Sequence, residues 1–548
     1  MDKSLPTPFP AEANVSEDSN PAIRLFGKRF IVDQPIPELL VEFLLVAFSE
    51  KNIGSLHQGI KSPLPSLEQI RTWPNGALLG YRPTIKLNLK LFSFLSSSRI
   101  DTRHEVHRQQ FKRLWQELQS RTHSSSEEPE EVVAWLEDLL KGFRGAGFNR
   151  TWCAQSFFPV AKSLLTPETI WNETVVKTRP VATWDGSLQK FSDYYSISRR
   201  NFLARGGEVL YLQLCNVFAQ DPAEVRAFAS SFTNDEKEKN LENLYDDLHR
   251  GLQSLYGRLN NPLDNLVNYI ESLDERTRET TMEVDRTFTC EWCPEESWKE
   301  GYLFALELKR LLLTSLDPVE KLELMMTGCA LQILRSLCAQ SVRYVQSEGK
   351  EKGTVFELGG GLHYACVFTP IVNPAPHLLL TSQRNLQVVQ TLIQKAVRVD
   401  ALIENVRIIE GRKSKKRQVS KVLQEADDKY GYKLFRAMGK KLGIIVPYKG
   451  PGARFVMTDG LLRYFILTLL KPGCNCSYEG FLERLYANHG IAVEGEHLDL
   501  AMRWSQLPPN LSTEYEDSSW LRDMLRAGGF LTELSDGYSI VTNTFGEL

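Results

Sequence analysis

The feature that most constrains the fold is a long segment, residues 317–345, whose apolar side chains recur on every side of a helix. Asp317 suits an N-cap, Pro318 suits the first helical position, and Glu320 lies at the positive end of the helix dipole. A helix that is apolar all round has to be buried. The sequence therefore predicts that this segment is the central helix of a middle domain, residues 233–397.

The same middle domain carries two arginines and a glycine-rich stretch. Arg335 and Arg343 lie within the apolar helix, and we expect each to reach a carboxylate or the surface, because charged side chains are rarely buried without a partner. Residues 354–369 contain two strand-like runs around Gly359–Gly361, which favours a β-hairpin. Glycines after a strand also resemble the cofactor loop of nucleotide-dependent methyltransferases, but here a second strand follows instead of a helix.

The chain has the composition of a globular protein of several domains, with 548 residues, 42% hydrophobic and 24% charged. Helical spacing dominates, so the predicted fold is mixed α/β, predominantly α-helical and multidomain. The predicted regions around the middle domain are a disordered lead (1–22), an N-terminal α/β region (23–121), a second α/β region (122–232), a basic helical segment (398–454) and a winged-helix-like module (455–548).

We expect a soluble, cytoplasmic protein without membrane contact. No basic N-terminal region precedes an apolar core, as a signal peptide requires. The most apolar early run, residues 39–48, is interrupted by Glu42 and is too short to span a bilayer. Nine cysteines without a regular framework fit a reducing compartment.

The charges separate into two opposed blocks. Residues 398–475 carry 17 Lys/Arg and 7 Asp/Glu, a net charge of +10, whereas residues 476–548 carry 4 Lys/Arg and 12 Asp/Glu, a net charge of −8. The whole chain has a net charge of −3, so its overall balance conceals this asymmetry. Such a division predicts a binding partner for at least one of the two blocks.

The positive charges concentrate on two predicted amphipathic helices, with a break near Gly431 and a stop at Gly443. Cations on the solvent face of these helices would meet a phosphate backbone through charge and counterion release. An ordinary solvated face and an acidic protein partner are the alternatives. The predicted nucleic-acid-binding residues are Arg412, Lys413, Lys415, Lys416, Arg417, Lys421, Lys433, Arg436, Lys440 and Lys441.

The last region, residues 455–548, contains several predicted helices followed by a terminal hairpin, the order of a winged helix. Asp536-Gly537 lies between two alternating runs, which is a strong hairpin signal. The helix before the hairpin offers only Arg522 and Arg526 to a duplex, with Asp523 between them. Because an acidic surface repels nucleic acid, the sequence favours protein docking for this module over DNA contact.

A zinc site is the one metal centre that the sequence suggests. Cys290 and Cys293 have the two-residue gap that allows two thiolates to meet one zinc ion. A structural site needs two more ligands, and the nearest paired candidates, Cys474 and Cys476, are distant and have a different gap. Reduced core cysteines are therefore the stronger interpretation, and no other cofactor is predicted.

No motif of a known catalytic class is present. The sequence lacks the patterns G-x-x-x-x-G-K-[ST], H-E-x-x-H and G-x-S-x-G. A nuclease or DNA-modifying enzyme of unrecognised type, and a pure protein scaffold, stay open as alternatives to a nucleic-acid-binding subunit.

Three stretches resemble accessory proteins encoded in multi-gene bacterial anti-phage defence islands. They are Gly147–Glu173, Cys290–Leu313 together with Leu337–Val345, and the terminal helix with its hairpin. In length and layout the chain resembles the second component of the Druantia type I system. The resemblance implies a cytoplasmic accessory subunit that works with a helicase-type partner on phage DNA. It defines no functional residues in this sequence. From the division of charge we expect a non-enzymatic subunit of a defence complex, whose basic segment contacts nucleic acid and whose C-terminal module contacts a sister subunit.

Overall fold

The computed structural model describes residues 5–15, 19–54, 59–95, 103–123, 128–196, 205–257, 261–284, 287–348, 364–505, 520–534 and 538–546. Helices account for 61% of the structure and strands for 10%, which confirms the predicted mixed α/β, predominantly α-helical fold.

The helices are numbered in chain order. They are α1 (Pro21–Phe26), α2 (Ile36–Phe48), α3 (Leu67–Arg71), α4 (Leu87–Phe94), α5 (Glu105–Arg121), α6 (Pro129–Gly142), α7 (Glu173–Thr178), α8 (Trp184–Gln189), α9 (Phe191–Tyr194), α10 (Gly206–Ala219), α11 (Pro222–Ala229), α12 (Glu236–Lys239), α13 (Leu241–Leu255), α14 (Pro262–Ser272), α15 (Glu275–Glu283), α16 (Trp298–Leu312), α17 (Pro318–Glu348), α18 (Pro376–Ala396), α19 (Asp400–Arg412), α20 (Val419–Glu425), α21 (Tyr432–Leu442), α22 (Asp459–Leu469), α23 (Tyr478–His489), α24 (Gly495–Trp504) and α25 (Trp520–Ala527).

The strands are short and form six small sheets within the described residues. They are β1 (Pro8–Phe9), β2 (Glu50–Ile53), β3 (Leu79–Arg82), β4 (Arg144–Ala146), β5 (Ser156–Phe157), β6 (Ile170–Trp171), β7 (Tyr195–Ser196), β8 (Phe288–Cys290), β9 (Cys293–Pro294), β10 (Cys366–Thr369), β11 (Ile445–Val446), β12 (Arg454–Val456), β13 (Asn475–Ser477), β14 (Ile491–Ala492), β15 (Leu531–Glu533) and β16 (Ser539–Thr542).

Helix α17 is the central helix that the sequence predicts. Its side chains are buried on all sides, as Leu322, Met325, Cys329 and Leu337 show with no exposed surface. It packs against α2, α16, α18, α21 and α22. Enclosure by this many elements satisfies the requirement that an all-round apolar helix be shielded from water.

Residues Pro318–Val345 are also long and apolar enough to cross a membrane, by length and composition alone. In the structure, 83% of an 18-residue apolar window within this helix is buried inside the protein. The core helix of a soluble protein meets the same criterion.

A buried ion pair fixes α17 against its neighbours. Arg335, 1% exposed, donates through Nη2 to Glu307 Oε1 of α16 at 2.5 Å. The same carboxylate accepts from the Tyr464 hydroxyl of α22 at 3.0 Å and lies 3.0 Å from His489 Nε2 of α23. Burial alone would raise the pKa of Glu307, but Arg335 and His489 together lower it to about 2. Arg343 pairs with Glu300, so both arginines of this helix reach carboxylates as expected.

A four-stranded sheet in the order β11-β12-β10-β14 lies beside α17 and α18. Strand β10 pairs in parallel with β12 on one edge and with β14 on the other. The expected hairpin near 354–369 is therefore wrong for its described residues, 364–369. Parallel strands pair with both edges of β10, and no antiparallel strand pairs with it in the described part of the chain. Residues 351–363 lie outside the described part of the chain.

The expected disordered lead, residues 1–22, is also corrected over residues 5–15 and 19–22. Strand β1 pairs antiparallel with β9, and Phe9 packs edge-on against Trp73 with ring centroids 5.4 Å apart. Helix α1 begins at Pro21 behind the capping side chain of Asn20. This segment is ordered by its contacts with β9 and with Trp73, which are both distant in sequence. Contacts of this kind produce no local periodicity in the sequence, so the pattern of residues did not predict them.

The buried side chains group differently from the predicted regions. One large cluster joins apolar residues of 9–81 with residues 209–255 and with most of the chain from 288 to 541. A second cluster joins residues 85–195 with Val267, Ile270 and Leu273 of the α14 region. The expected boundaries at 121/122 and 232/233 fall inside these clusters, because helices distant in sequence supply the opposing apolar faces.

The C-terminal region contains a three-stranded antiparallel sheet in the order β13-β16-β15, accompanied by α22, α23 and α25. Strands β15 and β16 pair as expected, with Leu531 opposite Val541, while the turn at 535–537 lies outside the described residues. The winged-helix-like assignment stays a prediction. Strand β14, which lies within this region, joins the four-stranded sheet and ties the region to the centre of the protein.

We expect the substitution Glu307→Gln to lower the free energy of unfolding by roughly 3–5 kcal/mol, because it leaves the charge of Arg335 buried without a counter-ion. Urea unfolding followed by circular dichroism measures this change. Glu404→Gln is the matched control, since Glu404 pairs with Arg407 at the exposed surface, and it should cost less than about 1 kcal/mol. Equal stability of both variants would show that the buried pair is dispensable.

Candidate nucleic-acid interface

The basic segment, residues 398–454, folds into α19, α20, a π-helical turn at Ala426–Tyr430, α21 and the first strands of the four-stranded sheet. Helix α21 ends at Gly443, whose φ of 82° is the left-handed conformation that glycine adopts readily. The apolar faces are buried, with Val422, Leu434 and Phe435 at 0–2% exposure. The predicted pair of amphipathic helices is thus confirmed, and their cations face outward or toward local partners.

Glu410 organises the connection between α19 and α20. Its carboxylate, in a residue only 3% exposed, pairs with Lys413 Nζ at 2.8 Å and accepts from the Arg417 backbone N–H at 3.0 Å. Arg417 also reaches Glu425 at 2.7 Å, and Lys413 and Arg417 both donate to the Ser19 hydroxyl. Lys413 and Arg417 therefore hold this connection in place with their charge largely neutralised.

Three further residues of the predicted set have local partners. Lys433 pairs with Asp428 at 2.5 Å. Lys440 and Lys441 donate to the backbone carbonyls of Tyr448 and Val32, at 2.8 and 3.1 Å. A carbonyl oxygen orients an ammonium group but leaves its net charge in place, so only Lys433 of these three is neutralised.

The other predicted residues keep an uncompensated charge. Arg412, Lys415, Lys416 and Lys421 are exposed, and none forms an ion pair with a carboxylate in the described part of the chain. We call these four residues the basic patch. Arg436 is half-buried and likewise has no ion-pair partner among the described residues. Burial lowers the pKa of Lys440, and the positive charge of the nearby Arg436 lowers it further.

The basic patch occupies ten consecutive positions, from the last residue of α19 to the first turn of α20. Glu410 contacts Lys413 and Arg417 inside this stretch and so holds the backbone between α19 and α20 in place. Four cations on a restrained, exposed connection can contact successive phosphates without first losing the entropy of a flexible loop.

The two arginines of α25 are engaged by acidic neighbours. Arg522 of α25 lies 3.7 Å from Glu479 and its guanidinium sits 4.4 Å from the ring centroid of Tyr478. Arg526 pairs with Asp523 at 2.6 Å and also with Glu533. Both arginines of helix α25 therefore have an acidic partner, and the expectation of a protein partner for this region stays a prediction.

The two cysteines of the suggested zinc site point to core packing. Both are buried; Cys290 lies in β8 opposite Leu79, whereas Cys293 lies in β9 opposite Phe9, so they belong to different sheets. Burial raises the pKa of the Cys293 thiol and disfavours the thiolate that zinc requires. No group of three or more potential metal ligands gathers within the described residues, so the zinc hypothesis gains no support.

The pH dependence of stability should reveal the role of Glu410. Burial alone would raise its pKa, but hydrogen bonds from Lys413, Ser19 and Arg417 lower it to about 2. A depressed carboxyl pKa stabilises the fold above its unfolded value of 4.5 and loses this contribution as the pH falls through about 2. We therefore expect the difference in Tm between wild type and Glu410→Gln to be full at pH 7 and to shrink below pH 4.5.

Glu279→Gln provides the control for this measurement, since Glu279 is exposed in α15 and has no ion pair in the described part of the chain. It should show no pH-dependent difference in Tm. A constant difference for Glu410→Gln down to pH 2 would contradict the assigned role.

Comparison with family models, curated proteins and solved structures identified no significant match to this chain.

Proposed function

We propose that this protein binds nucleic acid through the basic patch and a partner protein through its C-terminal region, as a non-enzymatic subunit of a larger complex. The observation that carries the proposal is the contrast within one segment. Carboxylates neutralise Lys413, Arg417 and Lys433, whereas Arg412, Lys415, Lys416 and Lys421 remain exposed without a counter-ion in the described part of the chain.

Four exposed cations within ten residues of sequence create a positive surface that attracts a polyanion. A phosphate backbone is such a polyanion, and its binding gains free energy from the release of condensed counterions. Contacts to phosphates fix orientation and register but carry no base information. The basic patch therefore supports binding that depends strongly on salt and weakly on sequence.

The C-terminal region supports a different contact. Its block carries a net charge of −8, and the arginines of α25 are paired with carboxylates. The β15-β16 hairpin exposes Leu534 and Tyr538, at 47% and 66%. An acidic surface with exposed apolar side chains repels nucleic acid and favours a protein partner.

The resemblance to accessory proteins of bacterial defence islands suggests a cytoplasmic setting for this activity. In that setting the basic patch would contact phage DNA, and the C-terminal region would contact a sister subunit, such as a helicase. A scaffold that uses the basic patch for an acidic protein is the competing arrangement, and the two differ in their response to added DNA.

Removing three of the four cations of the basic patch should weaken nucleic-acid binding. We expect the triple variant Lys415→Ala, Lys416→Ala and Lys421→Ala to bind short duplex DNA roughly tenfold or more weakly at low salt. The slope of log K against log salt concentration should fall by about 0.9 for each phosphate that the variant no longer neutralises. Fluorescence anisotropy across a salt series, with duplex DNA, single-stranded DNA and RNA, measures both quantities.

The matched control removes the same number of positive charges where each is already paired. In Arg407→Ala, Lys429→Ala and Lys433→Ala, every deleted cation faces a carboxylate. Affinity and salt slope should stay close to those of the wild type. If both triple variants lose affinity equally, net charge alone governs binding and the basic patch is not the site.

The partner surface should be separable from nucleic-acid binding. We expect Leu534→Ser with Tyr538→Ser to abolish co-purification with proteins encoded beside this chain and to leave DNA affinity unchanged. Leu139→Ser with Tyr269→Ser is the control, because it removes two exposed apolar side chains elsewhere. Retained co-purification after the hairpin substitutions would remove the hairpin from the proposed interface.

A further inference from the structure

The turn between β11 and β12, residues 447–453, displays an aromatic ring in the same segment that carries the basic patch. Tyr448 in this turn is 64% exposed, so its ring is open to a ligand. Single exposed aromatic rings are common on protein surfaces. This one differs in how its turn is held and in the charges that lie beside it.

Side chains of two helices hold the backbone of this turn. Lys440 of α21 donates through Nζ to the Tyr448 carbonyl oxygen at 2.8 Å, and Gln383 of α18 donates to the Gly452 carbonyl oxygen at 3.4 Å. Gly450 and Gly452 have φ angles of 101° and 78°, in the left-handed region that favours glycine. The backbone that carries Tyr448 is therefore restrained, and a ligand that contacts the ring does not first have to order a loop.

Three cations lie beside the ring. Lys449 is exposed and follows Tyr448 in the chain, while Lys440 contacts the Tyr448 carbonyl. Arg436 lies one turn before Lys440 on α21, and after burial its charge is the second cause that lowers the pKa of Lys440. None of the three forms an ion pair with a carboxylate in the described part of the chain. The positive charge beside the ring is therefore uncompensated.

The elements around this turn contain no acidic residue. Residues 364–399 and 429–458 hold no Asp or Glu, although the whole chain of 548 residues has 68 of them. The two segments form α18 and β10 on one side and α21, β11 and β12 on the other, and α18 packs against both α21 and β12. Two acid-free segments that meet in the fold produce a positive surface, which attracts a polyanion.

From these observations we infer that the β11–β12 turn binds single-stranded nucleic acid, with an unpaired base stacked on Tyr448 and phosphates at Lys449, Lys440 and Arg436. The inference rests on the proposed function and adds to the basic patch a second surface that distinguishes single strands from duplexes. In a duplex each base is stacked on its neighbours, so an exposed ring has no free base face to contact. Stacking on an aromatic ring is tolerant of sequence, because every base has a π-face.

Nucleic acid matches this surface better than an acidic protein segment does. A single strand repeats a flat base and a charged phosphate at every nucleotide, and the turn offers a ring and a cation in successive residues, Tyr448 and Lys449. An acidic protein segment would satisfy the cations but has no planar group at a fixed distance from each charge. Combined stacking and charge contacts of this kind are typical of proteins that bind single strands.

An oligothymidylate of about ten nucleotides and an abasic strand of the same length test the inference, because the two differ only in the bases. In fluorescence anisotropy, the full chain should bind the oligothymidylate roughly tenfold more tightly than the abasic strand. Tyr448→Ala should reduce this affinity to that of the abasic strand, and it should leave binding of the abasic strand and of duplex DNA unchanged. Tyr448→Phe should keep the preference, since it keeps the ring.

Two further variants separate stacking from charge. Tyr538→Ala is the matched control, since Tyr538 is 66% exposed on the C-terminal hairpin, and all three affinities should stay unchanged. Lys440→Gln with Lys449→Gln removes two charges and keeps a donor for the Tyr448 carbonyl. It should weaken the oligothymidylate and the abasic strand alike, and the salt slope should fall by about 0.7 for each phosphate that is no longer neutralised.

Failure of this inference differs from failure of the proposed function. If Tyr448→Ala keeps the full preference for oligothymidylate, or if the wild type shows no such preference, the turn is not a stacking surface and the basic patch is unaffected. If the wild type binds none of the three nucleic acids, both proposals are wrong. Loss of a co-purifying protein from Tyr448→Ala, with unchanged oligothymidylate binding, would assign the turn to protein docking and overturn the inference.

Discussion

The arginine in the middle of α17 is the constraint on which the rest of the packing depends. A helix that is otherwise apolar and fully enclosed cannot hold a guanidinium unless a carboxylate lies at the same depth. Glu307 meets this need from α16, and Tyr464 and His489 complete the network from α22 and α23. One buried charge thus dictates how the middle of the chain and its C-terminal region fit together.

Charged side chains at the surface also form pairs, but only some of the cations in the basic segment have a carboxylate partner among the described residues. Glu410 pairs with Lys413 and Arg417 at the two ends of the α19–α20 connection and so holds that connection in place. The unpaired neighbours Lys415 and Lys416 are then displayed on a fixed support. A count of charges along the sequence cannot separate the two groups, because the carboxylates that decide the matter are revealed only by the fold.

Periodicity predicted the elements whose cause is local. The all-round apolar pattern of α17, the break at Gly431 and the stop at Gly443 follow from helix geometry and glycine conformation. Contacts between distant residues had no such signature. The pairing of β1 with β9 and the parallel neighbours of β10 depend on partners far along the chain. The buried cluster of His107, Trp152 and Trp171 had no such signature either, since these rings meet only after the second core has formed.

The placement of β10 has a consequence for how the protein is made. Its two flanking strands come from residues 454–456 and 491–492, which leave the ribosome long after β10 itself. Until then the apolar surface between α17 and the sheet has no cover, and exposed strand edges promote aggregation of nascent chains. A chain that stalls before residue 491 would therefore be a client for chaperones or proteases, and final packing of the middle region waits for synthesis of the C-terminal region.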